Sequence, residues 1–350
     1  MNLETFIKQY RPQLEKYIVD VLKAKQHQMP LPLYADAVGC ILDCINGGKM
    51  WRGLLVMLGA QMHGKAITPD VFAAAAAMEI LHTSLLIHDD FMDNDFKRRG
   101  KDSVFYHYIK QGKKLNAQNS TLYGQALGVC VGDIAFFLAA QIAAEQIEDP
   151  VVLREMIKYA SREMQFVGAA QMTDVHHGAI NLEPDLTTIL QVYSYKTAYY
   201  SFSLPLSLGA LLAGETAIEP LYVLGHDLGI IFQLKDDELG MWGETAEIGK
   251  EVGSDIRENK KTWLRHYLFM KATPAEKKKL EKLFGNTAIT HEDVQYVRSV
   301  LEKYAICELI QPEIDTRVAS IKKYLAEFDM QKKDTSLLTE FIDFNLNRKK

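Results

Sequence analysis

The chain has 350 residues, and 40 Lys and Arg residues against 45 Asp and Glu residues give a formal charge of −5. Hydrophobic residues make up 48% and charged residues 24%, values that are ordinary for a folded protein. A disordered chain would lack this apolar content, and a general nucleic-acid-binding protein would normally carry a basic excess. The composition therefore excludes both classes.

Apolar residues recur at helical spacing along most of the chain, whereas the alternating runs and Asn-Gly or Asp-Gly turns of hairpins are nearly absent. The predicted fold class is all-α. The first twenty residues predict a helix rather than a secretory signal. Thr68 and Pro69 form a helix start before a long apolar run that ends near Asp93. Further helices are predicted near residues 122–146, 155–174, 186–214, 220–242 and 275–284, and from 291 onward.

The breaks between these helices are predicted near residues 47–48, 99–117, 178–184 and 242–259. None has the length or the Pro/Ser bias of a domain linker, so we predict a single domain over residues 1–350. The most apolar stretches, 126–144 and 202–213, are interrupted by Asp133 or by Pro205. They predict buried helices and no integral membrane segment.

The four cysteines, Cys40, Cys44, Cys130 and Cys307, are too few and too scattered for a disulfide framework. Cys40 and Cys44 could share a helix face, but no nearby His or second Cys pair completes a zinc site in the sequence. Buried thiols in a reduced, cytoplasmic protein are therefore expected.

Two acidic clusters each follow an apolar, helix-forming run. Asp89, Asp90 and Asp93 close the segment LLIHDDFMD, and Asp236 and Asp237 follow IIFQLK. Close anions at the end of a buried helix repel one another unless a cation neutralises them. A solvated helix end would explain one such pair. Two clusters favour Mg²⁺, which prefers oxygen ligands and commonly joins carboxylates to substrate phosphates.

Basic residues follow both acidic clusters. The segment KRRGK, residues 97–101, follows the first, and Lys250 and residues 255–261 follow the second. Such runs alone are usually solvated surface, but beside metal-binding acids they suit a diphosphate, because Arg and Lys both bind phosphate oxygens. A third basic segment, GGKMWRG at residues 47–53, has glycines that permit close backbone approach.

In this order, the segments resemble the motifs of the trans-isoprenyl diphosphate synthase (polyprenyl synthetase) family, most closely those of a short-chain geranylgeranyl diphosphate synthase. GGKMWRG is similar to the family's GGKxxR element, and DDFMDNDFKRRG to its DDxxD motif followed by RRG. Gly132-Asp133, QMTD, Lys196-Thr197, FQLKDDELG and GKEVGSDIRENKKT resemble the later motifs. The resemblance implies antiparallel helices around a central active-site cavity, in a homodimer.

The resemblance also implies a Mg²⁺-dependent prenyl transfer. An allylic diphosphate ionises, the cation alkylates isopentenyl diphosphate, and loss of a proton gives the lengthened all-trans chain. Three Mg²⁺ ions are implied when substrate is bound. The implied metal ligands are Asp89, Asp93 and Asp236, supported through water by Asp90 and Asp237. The residues implied for the allylic diphosphate are Arg98, Lys196, Lys250 and Lys260; for isopentenyl diphosphate, Lys49, Arg52, His82 and Arg99; and beside the cation, Thr197 and Gln233.

One departure from the family's motifs bears on activity, and three positions before the first acidic cluster bear on product length. Gly240 stands where the family's second motif often has a third acid, and Glu244 is a candidate substitute. One and two turns before the first acid, the path of the growing chain is implied to pass Leu81, Ser84 and Leu85. None of these is the aromatic residue that commonly blocks this path in farnesyl-forming relatives. We therefore predict a product of C20 or longer, geranylgeranyl diphosphate first.

Two alternatives remain open from the sequence. A class I terpene cyclase would need no second diphosphate site, and Lys49, Arg52 and Arg99 argue against it. A non-catalytic or regulatory subunit of a heteromeric prenyl synthase would tend to lose acidic ligands, yet both clusters are present here.

Overall fold

A computed structural model describes residues 1–180, 183–242, 253–331 and 333–347. Most of these residues are helical. The strands within the described ranges are limited to Lys97–Arg98 and Lys101–Asp102, which pair in antiparallel fashion. The all-α prediction is confirmed.

The helices follow one another with short connections. The first six are α1 (Leu3–Gln26), α2 (Pro32–Ile45), α3 (Trp51–Met62), α4 (Pro69–Met92), α5 (Val104–Lys114) and α6 (Ser120–Gln146). They are followed by α7 (Pro150–Ala179), α8 (Leu186–Tyr193), a π-helix (Ser194–Ser203), α9 (Leu204–Leu212) and α10 (Glu219–Trp242). The remainder are α11 (Ser254–Arg257), α12 (Trp263–Lys271), α13 (Pro274–Leu283), α14 (His291–Lys303), a 3₁₀ helix (Ile306–Ile310), α15 (Gln311–Met330) and α16 (Ser336–Leu346).

The chain forms two compact units that are interleaved in sequence. Unit 1 contains Met1–Lys158, Pro205–Ile218 and Ser336–Leu338, and unit 2 contains the described parts of Tyr159–Leu204, Glu219–Thr335 and Thr339–Lys350. The single domain over residues 1–350 stays a prediction.

Helix α9 belongs to unit 1, where it packs against α3 at very short range. A Cβ atom at Gly59 of α3 would lie 2.2 Å from the Leu206 backbone oxygen, and one at Gly209 would lie 2.1 Å from the Val56 oxygen. Because real Cβ atoms are not found at such distances, glycine is needed on both helices for this contact.

Helix α4 forms the centre of unit 1. Thr68 and Pro69 begin it, as predicted, because proline fixes the helical φ and its missing N–H is not needed at the first turn. The alanines at 73–76 are fully buried, and their small side chains let α3 and α6 pack closely on α4. This buried helix holds the first acidic cluster at its C-terminal end.

Two described helices, α4 and α6, are long and apolar enough to cross a membrane by length and composition. The most apolar part of α4 is 67% buried, as expected for a core helix, while that of α6 is only 39% buried. Leu122 and Phe137 on α6 are 60% and 70% exposed. Helix α6 therefore presents an apolar surface that unit 1 does not cover.

The predicted break over residues 99–117 is wrong, because it contains the short hairpin and helix α5. The sequence VFYHYIKQGKK is basic, but Val104, Phe105 and Tyr108 are buried, and α5 packs on α6. Gly124 of α6 permits this contact, since a Cβ atom there would lie 2.5 Å from the Phe105 oxygen. A tertiary contact thus stabilises α5, a helix that its amino-acid composition alone does not predict.

The predicted helix over residues 186–214 is divided into α8, the π-helix and α9. In unit 2, α10 packs directly on the π-helix. Gly225 and Gly229, one turn apart on α10, make this possible, because a Cβ atom at Gly229 would lie 2.4 Å from the Ala198 Cα. The close contact brings Lys196 and Thr197 alongside the polar end of α10.

Candidate active site

The first acidic cluster closes α4 in unit 1. Asp93 is the C-cap residue of α4, and its backbone N–H donates to the Asp89 backbone oxygen at 2.8 Å. Asp90 is 1% exposed, and its Oδ1 accepts a hydrogen bond from Arg98 Nε at 2.6 Å. Burial raises the pKa of Asp90, the Arg98 contact opposes the rise, and Asp95 and Asp89 add to it. The acids are therefore close enough to destabilise one another's ionised forms.

The cluster fits a divalent cation. Asp90 Oδ2 is buried and has no hydrogen-bond partner among the described residues. A buried carboxylate oxygen without a partner is costly, and a nearby cation would remove that cost. Oxygen donors of this type are those that Mg²⁺ prefers.

A tight hairpin directs Arg98 and Arg99 to different partners. Its turn places Arg99 and Gly100 at positive φ, 51° and 77°, as two-residue hairpins require. Lys97 Nζ lies 2.6 Å from Asp102 Oδ1 across the hairpin. Arg98 contacts Asp90, whereas Arg99 Nη1 donates to the Cys44 oxygen of α2 at 2.8 Å.

The loop GGKMWRG is held by an acid that the sequence analysis missed. Glu79 of α4 is buried, and its Oε1 accepts a hydrogen bond from the Gly53 backbone N–H at 2.7 Å. Glu79 also accepts from the Arg52 backbone, and the Arg52 charge favours its ionised form. A Cβ atom at Gly48 would lie 3.2 Å from Arg99 Nη1, so Gly48 permits the close approach of that arginine. A lone acid in an otherwise apolar helical run was the available signal for Glu79.

His82 lies in the field of three arginines of unit 1. Burial lowers the pKa of His82 well below its ordinary value, and Arg52, Arg98 and Arg99 lower it further. The imidazole is therefore neutral near pH 7 and can donate only one N–H. The structure thus brings four of the predicted diphosphate-binding residues together, while Lys49 is exposed.

Of the described residues predicted to bind an allylic diphosphate and its cation, Lys196, Lys260, Thr197 and Gln233 lie in unit 2, whereas Arg98 lies in unit 1. Lys196 in the π-helix pairs with Asp174 of α7. Thr197 Oγ1 donates to Gln233 Oε1 at 2.8 Å, and Gln233 Nε2 donates to Asp237 Oδ1 at 2.8 Å. These contacts fix the orientation of the Gln233 amide. From the sequence, Asp174 was indicated only as part of the QMTD motif.

In the second acidic cluster, Asp237 accepts hydrogen bonds from neutral side chains. Asp237 is 5% exposed and accepts from the Tyr193 hydroxyl, which itself accepts from the Trp263 backbone N–H at 2.8 Å. Burial, followed by the negative charge of Asp255, raises the pKa of Asp237 to about 8. Asp236 is exposed at the same helix end.

Asp255 occupies the space beside Gly240. A Cβ atom at Gly240 would lie 3.2 Å from Asp255 Oδ2, so the missing side chain leaves room for that carboxylate. Lys260 Nζ lies 2.7 Å from Glu258 Oε2 and 3.9 Å from Asp255 Oδ1. Asp255, which the sequence indicated only as part of the GKEVGSDIRENKKT motif, therefore takes up space that a side chain at position 240 would need.

Two further predictions concern Lys250 and Glu244, which lie outside the described residues.

Of the predicted chain-length residues, Leu81 and Ser84 are buried and Leu85 is half-buried. Ser84 Oγ donates to the Leu81 oxygen at 2.8 Å, as serine commonly does within a helix.

We expect Glu79→Ala to lower the free energy of unfolding by about 1–3 kcal/mol, because it leaves the Gly53 N–H buried without its acceptor. Glu79→Gln keeps an acceptor and should lose much less. Equilibrium urea unfolding measures both changes. A Gln variant as unstable as the Ala variant would contradict the proposed hydrogen-bonding role.

The same pair of variants should show a pH dependence. Since burial raises the Glu79 pKa, the folded protein binds this proton more tightly than the unfolded chain does. The Glu79 contribution to stability therefore falls as pH rises from the ordinary Glu pKa through the raised one. The stability of Glu79→Gln relative to the wild-type protein should increase across that window.

Comparison with known proteins agrees with the order of the motifs. The polyprenyl synthetase family model matches residues 38–301. A short chain isoprenyl diphosphate synthase of Methanocaldococcus jannaschii is 31% identical over 258 residues, or 73% of each chain. A geranylgeranyl diphosphate synthase of Saccharolobus solfataricus is 30% identical over 310 residues, covering 82% of this chain and 87% of the relative.

Solved structures agree with these relatives. The crystal structure of a geranylgeranyl pyrophosphate synthase from Corynebacterium glutamicum, complexed with isoprenyl diphosphate and magnesium, matches 100% of both chains with a TM-score of 0.89 and 26% identity. The family match covers most of this chain, from the GGKMWRG loop through both acidic clusters. The chain therefore belongs to the polyprenyl synthetase family and is a trans-prenyltransferase, as its motifs predict.

Proposed function

We propose that the protein condenses an allylic diphosphate with isopentenyl diphosphate and releases geranylgeranyl diphosphate, with a divalent metal as cofactor. The observation that carries this proposal is the presence of both acidic clusters together with a separate basic group, Arg52, His82 and Arg99. A terpene cyclase would have no use for that basic group. The named relatives, which include geranylgeranyl diphosphate synthases, support the C20 product.

In unit 1, Arg52, Arg99 and His82 bind isopentenyl diphosphate, with Lys49 reaching it from the exposed loop. The arginines supply charge, and the neutral His82 supplies one N–H donor. Because His82 does not need to be protonated, this binding should persist above the ordinary His pKa of about 6.5. Glu79 acts as a positioning residue by holding the loop that carries Arg52.

Asp89, Asp93 and Asp236 are the carboxylates that would hold Mg²⁺. Asp90 and Asp237 support them through water, and Arg98 balances the buried charge of Asp90. When bound, Mg²⁺ stabilises the negative charge that develops on the departing diphosphate. Three ions with substrate bound is part of this proposal.

Arg98, Lys196, Lys250 and Lys260 bind the allylic diphosphate. Thr197 and Gln233 face the allylic cation. The Thr197 hydroxyl hydrogen is engaged by Gln233, so the Thr197 oxygen presents lone pairs, which can stabilise positive charge. The departing diphosphate accepts the proton that leaves the condensed product.

Incubation of the purified protein with radiolabelled isopentenyl diphosphate, Mg²⁺ and allylic primers of several lengths tests the proposal. We expect incorporation into a C20 product, loss of incorporation in excess EDTA, and recovery when Mg²⁺ is restored. Asp93→Asn should lower kcat by at least about tenfold, because it removes a charged metal ligand. Incorporation only after addition of a partner chain would instead support the subunit alternative.

The C20 assignment depends on the small side chain of Ser84. We expect Ser84→Phe to shift the main product to C15 or shorter, because a buried aromatic ring at this position would block the growing chain. Chromatography of the dephosphorylated products measures the change, and Ser84→Ala is the matched control with unchanged length. A folded, active Ser84→Phe enzyme with an unchanged C20 product would overturn the assignment of this position.

We also propose that the enzyme is a homodimer that buries the apolar face of α6. Leu122, Val129 and Phe137 are exposed, and their spacing of seven and eight residues places them along one side of the helix. Apolar faces of this kind are typical of protein interfaces. Isologous pairing of two copies would cover both faces at once.

Phe137→Glu should weaken this dimer, because it would place a charge within the apolar face. Sedimentation velocity should show a monomer, or a dimer that dissociates at higher concentration than the wild-type dimer. Met330→Glu is the matched control, since Met330 is 78% exposed on α15 and lies outside this face. Equal dissociation of both variants would contradict a dimer through α6.

A further inference from the structure

Three side chains of unlike chemistry converge in unit 1, outside the residues used above. Asp36 and Cys40 lie four residues apart on α2, and His107 lies on α5. A carboxylate oxygen, the Cys40 Sγ and an imidazole nitrogen all lie within 4.8 Å of one another. The expectation that no His accompanies Cys40 is therefore wrong, because α5 supplies one from a distant part of the chain.

The donor set selects a class of metal. Thiolate and imidazole suit Zn²⁺ and similar transition metals, whereas Mg²⁺ prefers oxygen ligands. A tetrahedral ion with bonds of about 2.0–2.3 Å holds its ligand atoms about 3.5 Å apart. Small side-chain rotations would bring the three atoms to such distances. A water molecule would complete the four ligands.

The surroundings orient the donors and leave them accessible. Tyr108 is 1% exposed, and its hydroxyl donates to Asp36 Oδ2 at 2.7 Å. The Cys40 thiol lies 3.8 Å from the same hydroxyl. Hydrogen bonds of this type commonly orient metal-binding carboxylates. Asp36 and Cys40 are half-buried and His107 is exposed, so an ion can reach the group from solvent.

We propose that Asp36, Cys40 and His107 bind a divalent transition metal of the Zn²⁺ class. Binding replaces the thiol S–H bond with a sulfur–metal bond and releases the proton to solvent. The site is chemically distinct from the Mg²⁺ ligands and does not depend on the proposed function.

The site would join α2 to α5. One turn beyond Cys40, the Cys44 oxygen accepts the hydrogen bond from Arg99, and Asp43 pairs with Lys101 at 3.0 Å. Helix α2 therefore supports the hairpin that carries Arg99. A bound metal would restrict the movement of α2 relative to α5 and so steady that support.

Titration with Co²⁺, which replaces Zn²⁺ and has visible spectra, tests the proposal. The Cys130→Ser variant, which lacks an exposed thiol, serves as the parent for all measurements. It is treated with EDTA, dialysed, and then titrated without Mg²⁺ or substrate. We expect one equivalent of Co²⁺ to produce a thiolate-to-cobalt charge-transfer band. Excess Zn²⁺ should abolish this band, and excess Mg²⁺ should not.

Variants assign the band to the three side chains. Cys40→Ser should abolish it, and His107→Gln should weaken Co²⁺ affinity by at least about 100-fold, since even outer partners of metal ligands contribute tenfold or more. Cys44→Ser, on the same helix, should retain the band. Because His107 is exposed, His107→Gln should fold normally. It therefore tests the proposal even if Cys40→Ser does not fold. Absence of the band from the parent, or its persistence at full affinity in either ligand variant, would overturn the proposal.

Discussion

The buried ion pair between Asp90 and Arg98 is the contact on which the rest of the site in unit 1 depends. Leaving one such charge without the other costs about 3–5 kcal/mol, so the hairpin that carries Arg98 must close on the end of α4. The same hairpin then directs Arg99 toward α2. In unit 2, Asp237 occupies the equivalent place in its acidic pair but accepts hydrogen bonds from neutral Tyr193 and Gln233. Two clusters that look alike in sequence are thus stabilised by different physical means.

The chemistry of the family requires binding groups of two opposite kinds. Diphosphates need donors and positive charge, whereas an allylic cation needs oxygen lone pairs without a reactive nucleophile. In the proposed binding sites, these qualities are separated by residue type. Arginines surround the neutral His82, while the Thr197 and Gln233 side chains form hydrogen bonds that fix their oxygens. Net charge reports none of this, because acidic and basic clusters cancel in the sum.

The sequence predicted the all-α class and the bounds of α4, because Thr68, Pro69 and the acids after the apolar run are local signals. Motif order indicated the family, and with it most of the site residues. Helix α5, Glu79 and the His107 contact were missed for one physical reason: each depends on contact with another helix rather than on its own residue pattern. Likewise, Asp255 lies beside Gly240 through folding rather than spacing. Local patterns report propensity and periodicity, whereas these features depend on tertiary packing.

The interleaving of the two units has a consequence for biosynthesis. Helix α9 joins unit 1 by packing on α3, yet it leaves the ribosome only after residues 159–204 of unit 2. Multidomain chains commonly fold their N-terminal part first during synthesis. Here the N-terminal part of unit 1 cannot complete its packing during synthesis. The surface around Gly59 that contacts α9 stays uncovered until more than half of the chain has emerged. Until α9 emerges, the nascent chain therefore leaves uncovered the part of α3 around Gly59 that α9 later contacts.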